Sequence, residues 1–133
     1  MPYLEHKKHN GLKGRYMSVR YSLNGLRVML ITQKNAWIHA VATVSIIAMA
    51  SFLRISTTGW ALVLLAIVAV WTAEALNTAF EFLADVASPE FHPLVERAKD
   101  VAAGAVLISA LGSVIIGLLV LGPPLLRLLG WMP

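Results

Sequence analysis

The sequence contains no cysteine, which rules out a disulfide framework, a thiol nucleophile and a thiolate metal site. Charge is scarce: charged residues make up 14% of the 133, against roughly a quarter in an average soluble domain. Acidic residues are the scarcer sign, seven against eleven basic ones. Neither of the glycine-rich phosphate loops of soluble nucleotide-binding proteins, G-x-x-x-x-G-K-[ST] or G-x-G-x-x-G, is present, and no zinc-ligand spacing occurs. Any nucleotide site must therefore be built another way. The first apolar run starts only at residue 36 and has no small-residue cleavage site, so it does not read as a secretory signal. The opening Met1-Pro2-Tyr3 does not fit a myristoylation signal. No internal repeat and no separate soluble domain is visible, so residues 1–133 are expected to form one unit.

What the sequence has in abundance is apolar residues, 58% of the chain, gathered into three blocks. Residues 36–53 form a run of 18 with one ionisable group, His39, and residues 101–121 a run of 21 with none. Both match the roughly 20 residues needed to cross a hydrocarbon core. The middle block, Trp60 to Ala73, has only 14 residues. To reach the other side it must continue through Glu74, Asn77 and Glu81, giving an expected span of 60–84 with polar groups in or at the edge of the membrane. Residues 54–59 read as a turn, 86–93 as a short loop broken by Ser88-Pro89, and Pro93 as a first-turn residue of the third span. Gly122-Pro123-Pro124 is expected to end that span. Trp60 and Trp131 are placed as interface anchors. The fold class is thus all-α membrane protein.

Upstream, Leu12, Tyr16, Val19, Leu23, Leu26 and Leu30 recur at helical spacing, with Lys13, Arg20, Arg27 and Lys34 every seven residues on the flank. This predicts a helix over 12–32, lying in the membrane interface or packed on the spans with its charges in solvent. His6 and His9 stand three apart in a polar terminus expected to be mobile rather than metal-binding. Nine of the eleven basic residues precede the first span or lie between the second and third; only Arg54 and Arg127 fall opposite. By the positive-inside rule this puts the N-terminus in the cytoplasm, the C-terminus outside and the protein in the cytoplasmic membrane. Anionic headgroups account for the basic N-terminus more simply than nucleic acid does.

The chemistry concentrates on the second span. At 100° per residue, Glu74, Asn77, Glu81 and Asp85 project within an arc of about 80°. With Trp60 at the outer interface, Glu74 lies roughly 21 Å along the helix axis, short of the inner boundary. The row is a ladder of acceptors running from the cytoplasmic edge into the membrane, where such groups cost several kcal/mol and point to function. A carboxylate there suits abstraction of a proton from an alcohol. Oxygens nearer water suit Mg²⁺. Arg97 and Lys99 can offset phosphate charge and Asp100 can accept hydrogen bonds, which together match the needs of phosphoryl transfer. Simpler roles compete with these. Asn77 can join helices, and Asp85, Arg97, Lys99 and Asp100, taken singly, suit a solvated interface. His39 suits a cap or a snorkelling side chain, and His92 a structural or solvent-facing one. Ala105, Ser109, Ser113 and Gly117 form a small-residue stripe that permits close helix approach, within one chain or between copies. Three spans enclose a polar site poorly, which favours copies.

The blocks EALNTAFEFLAD (74–85) and SPEFHPLVERAKDVAAGAVLI (88–108) resemble the prokaryotic diacylglycerol kinase and undecaprenol kinase family. Its pattern is E-x-x-N-[ST]-A-x-E-x-x-x-D, then H, then A-K-D before a small-residue-rich span. The likeness extends upstream to Ser22, Gly25, Leu26 and Arg27 in S-x-x-G-L-R and covers roughly residues 15–120. It implies a homotrimer with a surface helix and three spans per copy, ATP and Mg²⁺, and transfer of the γ-phosphate to a membrane lipid alcohol, diacylglycerol or undecaprenol. Carried over by position, Glu74 corresponds to the base, Glu81 to a metal ligand with Asn77 beside it, and Asp85, Lys99 and Asp100 to nucleotide contacts. The surface helix, by the same resemblance, helps admit lipid. In one place the chain departs from the pattern: where the family usually has a second metal-binding glutamate, Gln33 stands here, which brings a carbonyl but no charge. A non-catalytic or chemically altered relative is the alternative this raises, and intramembrane glutamates also mark ion-conducting subunits. N-T-A in the second span, A-A-G-A-V in the third, Asn35 and His39 look more like the undecaprenol branch.

Overall fold

The computed structural model describes residues 11–131, so His6 and His9 lie outside the described residues. The chain forms four helices: α1 Leu12–Thr32, α2 Lys34–Phe52, α3 Thr57–Ala87 and α4 Pro93–Leu128. The last three are long and apolar enough to cross a membrane. Large side chains such as Leu65, Val68, Ile108, Leu118 and Leu119 project outward from them. Hydrocarbon rather than water suits such a surface.

Each boundary has a local cause. A single residue, Gln33, separates α1 from α2; it is extended (φ −103°, ψ 117°) and serves as C-cap of one helix and N-cap of the next. Its N–H still bonds to the Met29 carbonyl at 2.9 Å, so the chain turns a corner without losing the last bond of α1. Met29 and Ala36 are buried on either side of that corner. The turn before α3 is shorter than the cluster Ser56-Thr57-Thr58-Gly59 implies. Ser56 is an N-cap whose hydroxyl accepts the Gly59 N–H at 3.1 Å, so Thr57, Thr58 and Gly59 are helical. At the start of α4, His92 is the N-cap: its Nδ1 accepts the Leu94 N–H at 3.2 Å, and Pro93 occupies the first turn as expected.

The largest departure is at the end of α4. Gly122-Pro123-Pro124 does not stop it; the helix continues to Leu128. The two prolines give up their donors to the carbonyls four residues back, yet their fixed φ is helical, and long spans tolerate this loss. The stop comes at Gly130, with φ +73°, where its N–H bonds to Arg127 O at 3.1 Å and that of Trp131 to Leu126 O at 3.0 Å. These paired bonds around a left-handed glycine form a Schellman cap.

α3 and α4 make the main packed pair. A Cβ on Gly59 would stand 3.1 Å from Val120 Cγ1, so glycine sets the helix approach near the N-terminal end of α3. Further in, the Ser113 hydroxyl donates to Ser109 O (2.8 Å) and across to Ala66 O on α3 (3.1 Å). Part of the small-residue stripe is thus spent on packing within the chain. α2 leans on α3 through Trp71 Nε1, which donates to Thr43 Oγ1 at 3.0 Å. Along α1, Leu12, Tyr16, Val19, Leu23 and Leu26 are all exposed.

Candidate active site

The buried polar residues of the described chain, Glu74, Asn77 and Thr78, lie within five positions of one another on α3. Thr78 is accounted for by its own helix, donating to Glu74 O at 2.9 Å. The other two belong to the acceptor ladder anticipated along this face, and burial follows the ladder. Glu74 is 1% exposed and Asn77 6%, Glu81 is partly exposed, and Asp85 faces solvent.

The inner part of the ladder meets the α1–α2 corner. Gln33 Nε2 donates to Glu81 Oε2 at 2.8 Å, and Asn77 Nδ2 donates to Glu81 Oε1 at 3.1 Å. Both oxygens of Glu81 are thereby held by amides from opposite sides. The corner at residue 33 makes this possible, because it points a side chain from the end of α1 at α3. Asn77 Oδ1 is buried with no hydrogen-bond partner. One turn deeper, neither carboxylate oxygen of Glu74 has a hydrogen-bond partner. The nearest basic group is His39 Nε2 on α2, 3.7 Å from Glu74 Oε2. Buried polar atoms are normally paired, so three unpaired acceptors on one helix face set this stretch of α3 apart.

At the rim, Lys99 of α4 reaches Asp85 of α3 at 3.4 Å. A small cavity of about 190 Å³ opens beside this pair, lined among others by Ser88, Glu90, His92 and Glu96. Arg97 and Asp100 are exposed and make no ion pair among the described residues. Of the residues singled out in the sequence, the structure therefore joins Gln33, Asn77 and Glu81 in one cluster and Asp85 with Lys99 in a second. Glu74 stands beneath the first. Asp100 joins neither.

The donor set can be weighed against a divalent ion. Among the described residues no three His, Cys, Asp or Glu side chains gather on one point. Mg²⁺ needs less than that: it keeps several waters and is commonly held by one or two carboxylates plus substrate phosphates. The Glu81 carboxylate with the free Asn77 Oδ1 beside it fits such a site, and the Gln33 carbonyl can add an uncharged oxygen. One residue escaped the sequence reading. His39 appeared suited to a cap or a snorkelling role, but it turns toward Glu74 instead. The 35-residue separation along the chain hid this, since only the packing of α2 on α3 brings the two together.

Residues 20–121 match the family model described as prokaryotic diacylglycerol kinase. The chain is 40% identical over 114 residues to the diacylglycerol kinase of Synechocystis, covering 85% of this chain and 65% of that protein. It is 34% identical over 123 residues to the undecaprenol kinase of Bacillus subtilis, covering 92% of this chain and 100% of that one. With the diacylglycerol kinase of Escherichia coli K12 it shares 33% identity over 95 residues, 71% of this chain and 78% of the other. The matched region includes Gln33, His39 and the whole ladder of α3, and on that extent of similarity the chain belongs to the prokaryotic diacylglycerol kinase family.

Proposed function

We propose that the protein is an ATP- and Mg²⁺-dependent kinase that transfers the γ-phosphate of ATP to the hydroxyl of a membrane lipid alcohol, diacylglycerol or undecaprenol, at the cytoplasmic membrane face. The observation that carries this reading is Glu74: a buried carboxylate without a hydrogen-bond partner, beneath a cluster of oxygen ligands on the same helix face. A catalytic base that waits for a substrate hydroxyl has this profile, whereas a structural carboxylate would be paired. Glu74 takes the hydroxyl proton as the lipid oxygen attacks the γ-phosphorus. Lys99 and Arg97 offset charge on the phosphates. Asn77, Asp85 and Asp100 contact the nucleotide, and for this Lys99 exchanges its partner Asp85 for phosphate. Glu81, with Asn77 and Gln33, would hold Mg²⁺, which when bound withdraws charge from the phosphate oxygens.

The positive-inside bias supports a cytoplasmic N-terminus and an outer C-terminus, with the ladder opening to the ATP side. α1 serves as the surface helix that admits lipid, its exposed apolar side chains resting in the interface. A homotrimer is part of the proposal. Broad apolar grooves flank α3, one of them, about 820 Å³, reaching Asn77 and Arg97, and a second copy would close such an opening.

The test is phosphate transfer from labelled Mg-ATP by purified protein in micelles, with diacylglycerol and undecaprenol offered in parallel. Labelled lipid from the wild type, and none from Glu74→Gln, supports the kinase and names its acceptor. No label in either lipid from folded protein would favour the altered relative. The Gln33–Glu81 hydrogen bond is the observation behind that second reading, since an amide donor fills the place where a second carboxylate would serve a metal.

A further inference from the structure

The pair His39 and Glu74 has a geometry that neither residue explains alone. Nε2 of His39 and Oε2 of Glu74 face each other at 3.7 Å, just beyond a hydrogen bond. Nε2 and both carboxylate oxygens are buried, and none has another partner. A snorkelling histidine would carry its ring out toward water, and a capping one would bond to backbone; this ring does neither with Nε2. The contact is held from outside. Thr43 lies one turn after His39 on α2, Trp71 one turn before Glu74 on α3, and the 3.0 Å bond between them fixes how the helices meet. His39 is also the one ionisable residue lining the apolar cavity of about 290 Å³ between α2, α3 and α4. The imidazole thus borders hydrocarbon-like space on one side and the carboxylate on the other.

Resting on the kinase reading, we infer that His39 is a positioning residue that completes Glu74 as a proton acceptor: it orients the carboxylate and receives from it the proton removed from the lipid hydroxyl. In the transfer, the lipid O–H bond breaks and its proton goes to Glu74. The lipid oxygen forms a bond to the γ-phosphorus, and ADP leaves with the electron pair of the bond to its bridging oxygen. The proton then passes from Glu74 Oε2 to the unprotonated Nε2 of His39, restoring the carboxylate, and the same Nε2 gives it up to water that enters as the products leave. A carboxylic acid left in a site shielded from water would otherwise have no local acceptor for its proton before the next turnover.

Few other charges face the pair. On α3 itself the next carboxylate is Glu81, two turns on and held by Gln33 and Asn77. α4 has no titratable residue between Val101 and Leu121. Lys34 of α2 and Lys13, Arg15, Arg20 and Arg27 of α1 are exposed and form no ion pair among the described residues. A pH effect that depends on residue 39 therefore reports this pair.

The experiment compares wild type, His39→Gln and His39→Ala in full-length protein, measuring phosphate transfer to lipid across pH, with helix content and thermal melting as fold controls. The expected result is a kcat lowered about tenfold to a hundredfold in both variants, within the range of acid–base effects. KM for Mg-ATP should stay unchanged, and the dependence of kcat on pH should differ in shape from that of the wild type. If wild type transfers phosphate and both variants keep its kcat and its pH profile, His39 has no part in proton handling. An equal loss at every pH, with the shape of the profile unchanged, also overturns the inference, because it makes the role one of packing alone. His39→Gln preserves size and polarity, so a folding defect confined to His39→Ala does not obscure the outcome. Absence of transfer by folded wild type would instead refute the kinase reading, and the proton role with it.

Discussion

The two ends of α3 follow opposite rules. Toward its N-terminus it packs tightly on α4: Gly59 admits Val120, Ser113 reaches the Ala66 carbonyl, and Val63 and Ala66 are buried. Toward its C-terminus the same helix buries Glu74 and Asn77 and leaves three of their oxygens unpaired. The N-terminal half gains stability from close contact; the C-terminal half gives some up, because unpaired buried polar atoms cost roughly 1–3 kcal/mol each, more when charged. A helix that spends in one half what it gains in the other is organised around a site. Variants should therefore separate stability from turnover according to which end they touch.

The largest separation is expected at Glu74. Glu74→Gln removes a buried charge and keeps the shape, so transfer to lipid should fall at least about a hundredfold. The melting temperature should hold or rise, because no hydrogen bond is lost. A sharp fall in melting would mean that the carboxylate is structural, and the contrast between the two ends would fail.

The reverse separation is expected at Gly59. Gly59→Leu forces side-chain atoms against Val120 and Ile55, already 3.1 Å and 3.4 Å from an added Cβ. Such overpacking costs about 1–3 kcal/mol, read as an earlier thermal transition in detergent. Activity per folded molecule should be unchanged, since Glu74 lies about 22 Å further along the helix by its rise of 1.5 Å per residue.

These two variants also mark what the sequence alone could convey. The ladder was legible because helical periodicity is strict: four polar residues within one arc of an apolar helix stay on one face whatever surrounds them. Helix existence was legible for the same reason. The ends were not. Pro123-Pro124 resembles a terminator, but proline's cost depends on whether the freed carbonyls matter, and the left-handed Gly130 was the actual stop. The Gly59 contact and the turn of His39 toward Glu74 depend on how helices far apart in sequence pack, which no local pattern encodes. Gln33 lay between these extremes. Its oddity was visible by resemblance, but its partner Glu81, 48 residues away, was assigned only by the fold.

Gln33 allows a finer test of the C-terminal half of α3. Gln33→Glu deletes the 2.8 Å amide donor to Glu81 and sets two carboxylates against each other. Without a divalent ion the variant should melt earlier than wild type. Mg²⁺ should stabilise it by binding only the folded form. The Mg²⁺ concentration for half-maximal transfer should fall about tenfold, equivalent to roughly 1.4 kcal/mol. Melting that ignores Mg²⁺ in both proteins would remove residue 33 from any metal site.

The smallest effect is expected where the two halves meet, at Trp71. Its indole N–H donates to Thr43 Oγ1 and ties α2 to α3 one turn from His39 and Glu74. Trp71→Phe keeps most of the ring and removes the donor. The Thr43 hydroxyl need not remain unpaired, because in a helix it can rotate to the carbonyl four residues back. The loss in stability should therefore stay near the ordinary value of one hydrogen bond, about 0.5–1.5 kcal/mol. Thr43→Val removes the same bond from the other side, so the two changes together should cost less than the sum of each alone. Turnover should fall only a few-fold, because α2 still rests on α3 through apolar contacts and the 3.7 Å approach of His39 to Glu74 loosens rather than breaks. Strict additivity would show that this bond does not hold the helices in register, and the polar site would then owe its alignment to the Gln33 corner alone.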